Sequence, residues 1–386
     1  MGTLAAEPAI MHLVRVLQLP VDVASRSRAQ MHLLDWLACA AGAGNDPSLA
    51  ALDSLAEGDA VSQAAIWSRG YGSTQSALLC NGMLGNLLEM DDVHRRAILH
   101  PGPVVIPALL ATCTVHTSGN ALLDGIVRGY EAMIRLGIAV GSSHYRYWHP
   151  TSTCGALGAA AGCASMLKLD ALPSAWALGN AVSRTGGLWQ MRHEAVPTKS
   201  LHNAEAARSG WLAAQLAARD FAGPISALDG EQGLFAATSS DADPAALAAE
   251  LQQWSIHQVS FKPWPACRHA HPAIDALQKL PIEALTGDVR RIRVRSYREA
   301  IAFCDRVDPQ TPLQARFSIQ HALAAICVHG RPQLQHYQGA ALVDPDLAAL
   351  RRRVELIEDR DLLAGSRSGH WYNRHSVCII HTMQSR

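Results

Sequence analysis

The sequence predicts a mainly α-helical protein, with a large all-helical domain over residues 1–255 and a smaller α+β domain over residues 256–386. Apolar residues make up 49% of the 386 residues and charged residues only 17%, so the chain can bury enough surface to offset the entropy of ordering. Aromatic residues make up 5%, so the core must consist of Ala, Leu, Val and Ile, which favours closely packed helices. The apolar periodicity is helical through the first two thirds and changes after about Trp254.

Seven helices are predicted from this periodicity and from Gly, Pro and Asn stop signals. The segment starting at Thr153 consists almost entirely of small residues, which indicates a buried central helix. The predicted spans are Ser27–Ala43, Ser73–Met90, Pro103–His116, Leu122–Gly141, Thr153–Leu167, Ser174–Thr185 and Ala204–Arg219.

The C-terminal third predicts three strands alternating with helices. Val289–Ser296 alternates apolar and basic residues, as in a strand with one solvated face. Ser255–Phe261 and Ser376–Thr382 are the other predicted strands, and His271–Leu280 and Ala315–His329 are the predicted helices. A cleft between the two domains is the expected place for a site.

Charge and cysteine usage exclude several classes of protein. The 33 basic and 33 acidic residues cancel, so the sequence predicts no nucleic-acid partner and no association with a membrane. No apolar run reaches the length of a membrane span, and the N-terminus does not have the pattern of a signal peptide. The nine cysteines include no C-x-x-C pair, which predicts reduced thiols in a cytoplasmic protein. The 18 histidines invite a search for acid–base chemistry.

The densest polar cluster is Glu89–His94, followed by His100-Pro101-Gly102. Asp91 and Asp92 with His94 allow three interpretations: a carboxylate that orients an imidazole, a hard metal site, or solvated charges at a helix C-terminus. Two carboxylates at a helix C-terminus oppose the helix dipole, which favours a functional role. The absence of a second Asp-rich motif weakens the metal interpretation.

A second cluster runs from His144 to Thr153, and a third from Pro197 to His202. Ser152 or Thr153 is expected to cap the following small-residue helix, whose N-terminus would attract an anion. The alternative is an ordinary helix cap beside a packed histidine.

The fourth cluster, Phe261–His271, places Lys262 and Arg268 among Pro, Trp and Cys. A lysine before a rigid proline has a restricted backbone and can be directed at an anion. His269 and His271 have no carboxylate or thiol at ligand spacing, so the sequence predicts no metal.

Taken in order, these stretches resemble the MmgE/PrpD family, which includes 2-methylcitrate dehydratase, cis-aconitate decarboxylase and iminodisuccinate epimerase. The resemblance covers about Ser27 to Ile380. Its motifs are Asn81-Gly82, Asp91-Asp92-Val93-His94, His100-Pro101-Gly102, Pro107-Ala108, His149-Pro150-Thr151, Gly155-Ala156-Leu157-Gly158-Ala159-Ala160, Lys199-Ser200-Leu201-His202, Ala206-Ala207, Gly210, Phe221-Ala222-Gly223-Pro224, Asp229-Gly230, Gly233, Phe261-Lys262-Pro263 and Pro265-Ala266-Cys267-Arg268.

The resemblance implies an all-helical domain, an α+β lid domain, a homodimer, no metal or organic cofactor, and a small di- or tricarboxylate substrate. It assigns active-site roles to Asp91, His94, His100, His149, Lys199 and Lys262. Substrate-binding roles are expected for Thr153, Arg268, His271 and His321. The shared chemistry is proton transfer at the carbon next to a carboxylate, with His149 or His100 as base and acid and Asp91 orienting one imidazole.

The sequence also departs from the family pattern. Val93 replaces the usual Thr, the Asp92–His100 loop is about one residue longer than in the decarboxylases, and His321 stands where decarboxylases tend to have Tyr. The lid is expected to be shortened at its C-terminus. Dehydration is the first expectation and epimerisation of an imino- or aminodicarboxylate the second. Decarboxylation and a catalytically silent scaffold are further alternatives.

Overall fold

The computed structural model describes residues 7–52, 64–194, 196–280, 289–360, 362 and 377–382. The chain is mainly helical, as the sequence predicts. Contacts divide it into two compact units, here called unit 1 (Met1–Leu87, Asp91–Met191 and Pro197–Phe261) and unit 2 (Leu88–Met90, Arg192–Val196 and Lys262–Arg386). No helix in the described ranges is both long and apolar enough to cross a bilayer.

Unit 1 is built almost entirely from helices, with two small two-stranded ladders. Its helices are α1 Ala9–Leu17, α2 Val23–Ala43, α3 Thr74–Leu84, α4 Gly102–Thr112, α5 Gly119–Ala139, α6 Gly141–His144, α7 Pro150–Thr153, α8 Gly155–Met166, α9 Ala171–Val182, α10 Thr198–Ala217, α11 Leu234–Thr238 and α12 Ala245–Ala248. Its strands are β1 Ala64–Ile66, β2 Gly70–Gly72, β3 Val93–His94 and β4 Val259–Ser260, paired antiparallel as β1–β2 and β3–β4.

Helix α8 lies at the centre of unit 1, where α4, α5, α9 and α10 pack around it. Every residue from Gly155 to Ala164 is buried, so the prediction of a buried central helix is confirmed. The close packing depends on glycine, which has no side chain. A Cβ at Gly158 would lie 2.9 Å from the Gly129 carbonyl oxygen of α5. The buried thiols Cys154 and Cys163 belong to this region, and burial raises the pKa of each to about 12.

The predicted helices of unit 1 form, but several of their ends differ. The predicted helix Ser73–Met90 stops at Leu84, because the chain turns from Gly85 to Leu88 and Glu89 then adopts a φ of 54°, which a right-handed helix does not allow. The expectation of two carboxylates at a helix C-terminus is therefore wrong. The predicted strand Ser255–Phe261 is also wrong over most of its length, since Ser255–Gln258 is a 3₁₀ turn.

Unit 2 combines short helices with a three-stranded sheet. Its helices are α13 His271–Gln278, α14 Arg298–Cys304, α15 Pro312–Arg316, α16 Ile319–His329, α17 Ala340–Val343 and α18 Pro345–Arg351. Its strands are β5 Val289–Ser296, β6 Val354–Glu358 and β7 Val377–Thr382, in the order β6–β5–β7, with β5 parallel to β6 and antiparallel to β7. Besides the turn at Ser255–Gln258, the described residues include two 3₁₀ turns in unit 2, at Arg268–Ala270 and Leu334–Tyr337. Two more lie earlier in the chain, at Pro47–Leu49 and Trp189–His193.

The strand predicted at Val289–Ser296 is confirmed as β5, the central strand of the sheet. Its burial alternates from Ile292 to Ser296, and a register shift between Val289 and Arg291 interrupts the alternation earlier. The predicted helix Ala315–His329 is broken, because the Ser318 hydroxyl accepts the His321 N–H and so starts a new helix at Ile319. Ser376, the first residue of the last predicted strand, lies outside the described residues.

Candidate active site

The segment from Asp91 to His100 is fixed in unit 1 by the side chain of Asp92. The carboxylate lies 2.7 Å from His32 Nδ1 and accepts hydrogen bonds from the Tyr130 hydroxyl at 2.7 Å and the Gly102 N–H at 2.9 Å. These donors come from α2, α5 and α4, and Asp92 is buried. Buried carboxylates need such partners, so Asp92 has a structural role that the sequence alone did not indicate.

Asp91, the neighbouring carboxylate, contacts His100. Asp91 Oδ2 lies 2.9 Å from His100 Nδ1, and the same nitrogen lies 2.8 Å from the Asp92 carbonyl oxygen. Both oxygens are acceptors, so Nδ1 carries the proton and a neutral His100 presents its lone pair on Nε2. The Asn86 amide donates to Asp91 Oδ2 at 2.9 Å and accepts from the Ser200 hydroxyl at 3.0 Å, which holds the carboxylate in place.

His149 precedes the single-turn helix α7 and is completely enclosed. Its N–H donates to the Gly187 carbonyl at 2.9 Å, and its ring centroid lies 4.5 Å from that of Trp189. Its Nδ1 lies 3.3 Å from His202 Nδ1. Its Nε2 is buried and has no hydrogen-bond partner among the described residues. A buried ring nitrogen without a hydrogen-bond partner lowers the stability of the folded state unless a ligand or a water molecule binds to it.

The electrostatics of His149 identify the groups that surround it. Burial lowers the pKa of His149 well below its usual value, and the positive charges of Lys199, His202 and His100 lower it further. Asp91 acts in the opposite direction and raises it. Groups from α10, the Asp91–His100 segment and the start of α7 therefore converge around one imidazole, which is neutral at neutral pH.

Lys199 and His202 lie in the first two turns of α10, which begins at Thr198 rather than at Ala204 as predicted. Their spacing of three residues places both on the same face of the helix. The N-terminus of this 20-residue helix adds partial positive charge beside the lysine, which favours an anion there. His202 is the contact to His149 that sequence reasoning missed, and this spacing is the signal that could have identified it.

Two of the predicted site residues make contacts of a different kind. His94 Nδ1 accepts the Ala97 N–H at 3.1 Å, and burial lowers its pKa to about 4 despite a hydrogen bond with Gln258. Thr153 Oγ1 lies 2.8 Å from His144 Nε2, and neither it nor Ser152 caps α8, whose N-cap Cys154 makes no side-chain cap. The capping expectation is therefore wrong, because the Thr153 hydroxyl is already bonded to the His144 imidazole and to the His149 carbonyl.

In unit 2, Lys262, Arg268 and His271 lie close together. Lys262 is buried, with Nζ 3.1 Å from the Glu89 carbonyl oxygen and 3.5 Å from Glu89 Oε2. His271 Nε2 donates to the Ala266 carbonyl at 3.0 Å. Burial lowers the pKa of His271 well below its usual value, and the charges of Arg268 and Lys262 add to this effect. Two cations thus lie near one neutral imidazole.

His321, the fourth predicted site residue of unit 2, is held by contacts with other residues of that unit. Its Nε2 donates to the His336 carbonyl at 2.7 Å, its Nδ1 lies 3.2 Å from the Arg351 guanidinium, and its ring packs against Tyr337. Burial lowers its pKa to about 4. These contacts place His321 in a buried hydrogen-bonded network within unit 2.

The unit 1 cluster has the parts needed for proton transfer. A carboxylate-oriented imidazole lies near a neutral, enclosed imidazole and a lysine, which is the combination of base and fixed positive charge that carbanion chemistry requires. Within the described residues, no three His, Cys, Asp or Glu side chains are grouped so that they could hold a metal ion.

Comparison with known proteins identifies the family of the chain and several similar sequences. The model of the MmgE/PrpD N-terminal domain matches residues 10–247, and that of the C-terminal domain matches residues 264–382. A cis-aconitate decarboxylase-like protein of Aspergillus oryzae is 28% identical over 84% of this chain and 73% of its own length. The cis-aconitate decarboxylase of Homo sapiens is 29% identical over 72% of this chain and 60% of its own length. That of Aspergillus terreus is 25% identical over 74% of this chain and 64% of its own length.

Together the two domain models cover most of the sequence, in the order that the resemblance predicts. The alignments to the human and A. terreus enzymes span less than two thirds of those proteins. The chain belongs to the MmgE/PrpD family.

Proposed function

We infer that this protein is a lyase that acts on a small di- or tricarboxylate by moving a proton at a carbon next to a carboxylate. The observation that carries the proposal is the convergence of Asp91, His100, His149 and Lys199 around a buried imidazole nitrogen with no partner among the described residues. A neutral imidazole beside a fixed cation is suited to take a proton while negative charge develops on the adjacent carboxylate.

In the proposed mechanism the two histidines have different roles. His149, kept neutral by burial and by neighbouring positive charge, is suited to accept the substrate proton. His100, whose Nδ1–H is held by Asp91 and by the Asp92 carbonyl, is suited to give a proton from Nε2 when it starts as the imidazolium, and it is left as the neutral Nδ1–H imidazole. Asp91 stabilises the imidazolium form of His100 before this transfer. Lys199 is proposed to bind a substrate carboxylate.

Within unit 2, Lys262 and Arg268 are proposed to bind a carboxylate. The basis is their mutual proximity around His271, since cations beside a neutral imidazole attract an anionic group. Thr153, His94 and His321 are proposed as residues that shape the surrounding structure, because their polar side-chain atoms are hydrogen-bonded to other residues of the protein.

Decarboxylation of a cis-aconitate-like tricarboxylate is the reaction to test first, because the relatives described above carry that activity in their names. When CO₂ leaves, the carbon–carbon bond breaks and its electron pair remains on the carbon, which must then receive a proton from an imidazolium. Dehydration requires the opposite order: a base removes the proton next to the carboxylate, and the β-hydroxyl leaves as water after taking a proton.

Dehydration of a 2-methylcitrate-like hydroxy acid is the second candidate. It is favoured by His321, which stands where the decarboxylases tend to have tyrosine, and by the neutral state of His149, which suits proton removal. Epimerisation of iminodisuccinate uses the same first step and then returns the proton to the opposite face.

The proposal is tested by incubating the purified protein with cis-aconitate, 2-methylcitrate, citrate and iminodisuccinate, with the reactions followed by proton NMR. We expect one substrate to be converted with loss of CO₂ or water. If none of the four compounds is converted at protein concentrations high enough for slow turnover to be detected, the proposal is contradicted. Epimerisation without loss of either molecule would replace the lyase assignment by an isomerase.

A further inference from the structure

A cavity lies in unit 1, beside the C-terminal end of α8. It has a volume of about 260 Å³ and is lined by residues of α1, α5, α8 and α9. Ala161, Ala164 and Ser165 line it from α8, whereas His149 and α7 precede the N-terminus of that helix. Ten residues of helix separate Gly155 from Ser165, or about 15 Å. The cavity is therefore distinct from the Asp91–His149 cluster.

Arg128 provides positive charge on one wall of this cavity. Its guanidinium donates to Ser165 Oγ at 2.7 Å and to the Leu19 carbonyl at 3.3 Å, and its Nε is buried without a partner among the described residues. Asp124 lies one turn earlier on α5, but its two oxygens bind Arg26 at 2.7 and 3.1 Å. Burial lowers the pKa of Arg128, with Arg26 adding to this effect and Asp124 opposing it.

Two further donors face the same space. Lys168 lines the cavity immediately after α8, and its ammonium makes no ion pair with the described residues. Ser165 Oγ accepts from Arg128, and its own proton has no acceptor in the described part of the chain. Two cations and a hydroxyl donor lie around one cavity, and no carboxylate is among the described residues that line it, so the cavity is complementary to an anion.

The remaining wall is apolar. Val14 and Leu17 of α1 and Leu178 of α9 line it, together with the two alanines of α8. A cavity of about 150 Å³ lined by apolar side chains is large enough to hold benzene. A space of about 260 Å³ with an apolar wall and a cationic rim therefore has room for a short hydrocarbon tail as well as a charged head group.

We propose that this cavity binds a small organic anion with a short apolar tail, a monocarboxylate of the fatty-acid class, with the carboxylate on Arg128 and Lys168 and the tail against Val14, Leu17 and Leu178. A tricarboxylate, whose charges are spread over the whole molecule, does not match a cavity with charge on one wall only. The site is separate from the one proposed for the lyase substrate.

The test uses isothermal calorimetry of the intact protein with hexanoate, 1-hexanol and inorganic phosphate. Hexanoate is expected to bind with Kd below about 10 mM. Hexanol lacks the charge and phosphate lacks the tail, so each is expected to bind at least about tenfold more weakly. Equal binding of hexanol would overturn the role of the cations, and equal binding of phosphate would overturn the role of the apolar wall.

Variants locate the binding site. Arg128→Met keeps the aliphatic stem, and Lys168→Met changes an exposed residue, so the second variant remains informative if the first fails to fold. Each is expected to weaken hexanoate binding at least about tenfold. The matched control Arg219→Met, at the exposed end of α10, and His149→Gln are expected to leave binding unchanged. Unchanged binding in Lys168→Met, or loss of binding in His149→Gln, would refute the proposal whether or not the protein proves to be a lyase.

Discussion

Replacing Asp91 by Asn removes the charge beside His100 while keeping an acceptor oxygen. In the wild type, Asp91 Oδ2 lies 2.9 Å from His100 Nδ1 and also accepts the Asn86 amide at 2.9 Å. An asparagine oxygen in the same position can accept both hydrogen bonds, so the local geometry can persist. The variant thus isolates the electrostatic contribution of the carboxylate to the imidazolium.

The expected loss follows from the separation of the charges. Unit charges about 4 Å apart interact by about 4 kcal/mol at an effective dielectric constant of about 20. Since about 1.4 kcal/mol corresponds to a tenfold change in rate, the upper limit is roughly 10³-fold in kcat/KM. The retained hydrogen bond reduces this, so we expect a loss of roughly 10²- to 10³-fold.

The assay is kcat/KM of the pure variant on the substrate identified by NMR, with the fold checked by circular dichroism. Asp124→Asn serves as control, because Asp124 is also paired with a cation, Arg26, but lies outside the cluster. The control is expected to stay within about threefold of wild type. A folded Asp91→Asn variant with kcat/KM also within about threefold would refute the proposed role of the carboxylate.

Three further predictions concern other parts of the molecule. His149→Gln is expected to lower kcat/KM at least about 100-fold. His202→Asn is expected to lower kcat/KM by a smaller factor, since His202 acts only through its contact with His149. A larger loss of kcat/KM in His202→Asn than in His149→Gln would reverse these roles. Lys262→Met is expected to lower both the activity and the urea concentration at the unfolding midpoint, because it removes the cation that pairs with the buried Glu89. Adding Glu89→Gln to this variant should restore the urea midpoint but not the activity. Recovery of activity in the double variant would reduce Lys262 to a structural role. His144, whose folded pKa is lowered to about 4 from 6.5 by burial, stays neutral while the unfolded chain takes up a proton, so stability present above pH 6.5 is lost as pH falls toward 4. This amounts to about 2 kcal/mol between pH 7 and 5. His144→Gln should therefore reduce the change of the urea midpoint with pH over that range by the share that His144 contributes, and an unchanged pH slope would contradict the assignment.

The sequence predicts the helices of unit 1 because their apolar residues repeat with the period of a helix and are in fact buried. Their ends are predicted less well. The end of α3 depends on Gly85, whose backbone lies against Trp36 of another helix, and on the left-handed conformation of Glu89. Neither feature leaves a local pattern in the sequence, since Gly85 and Trp36 meet only after folding and a glutamate does not by itself predict a left-handed conformation.

The candidate site shows the same limit. The roles of Asp91, His100 and His149 were expected from motifs, and the structure brings these side chains together in unit 1. The hydrogen bonds that hold Asp92 come from three separate helices, and no local spacing of residues in the sequence predicts them. Thr153 was expected to cap a helix, but a histidine nine residues earlier already binds its hydroxyl.

Solvent deuterium incorporation tests the central claim most directly. The reaction is run in D₂O with the converted substrate, and deuterium at the carbon next to the carboxylate is measured by NMR in the product and in recovered substrate. The proposed mechanism predicts incorporation by the wild type and at least about a 100-fold slower rate in a folded His149→Gln variant. Turnover without any solvent deuterium at that carbon, or incorporation that continues at the wild-type rate without His149, would contradict it.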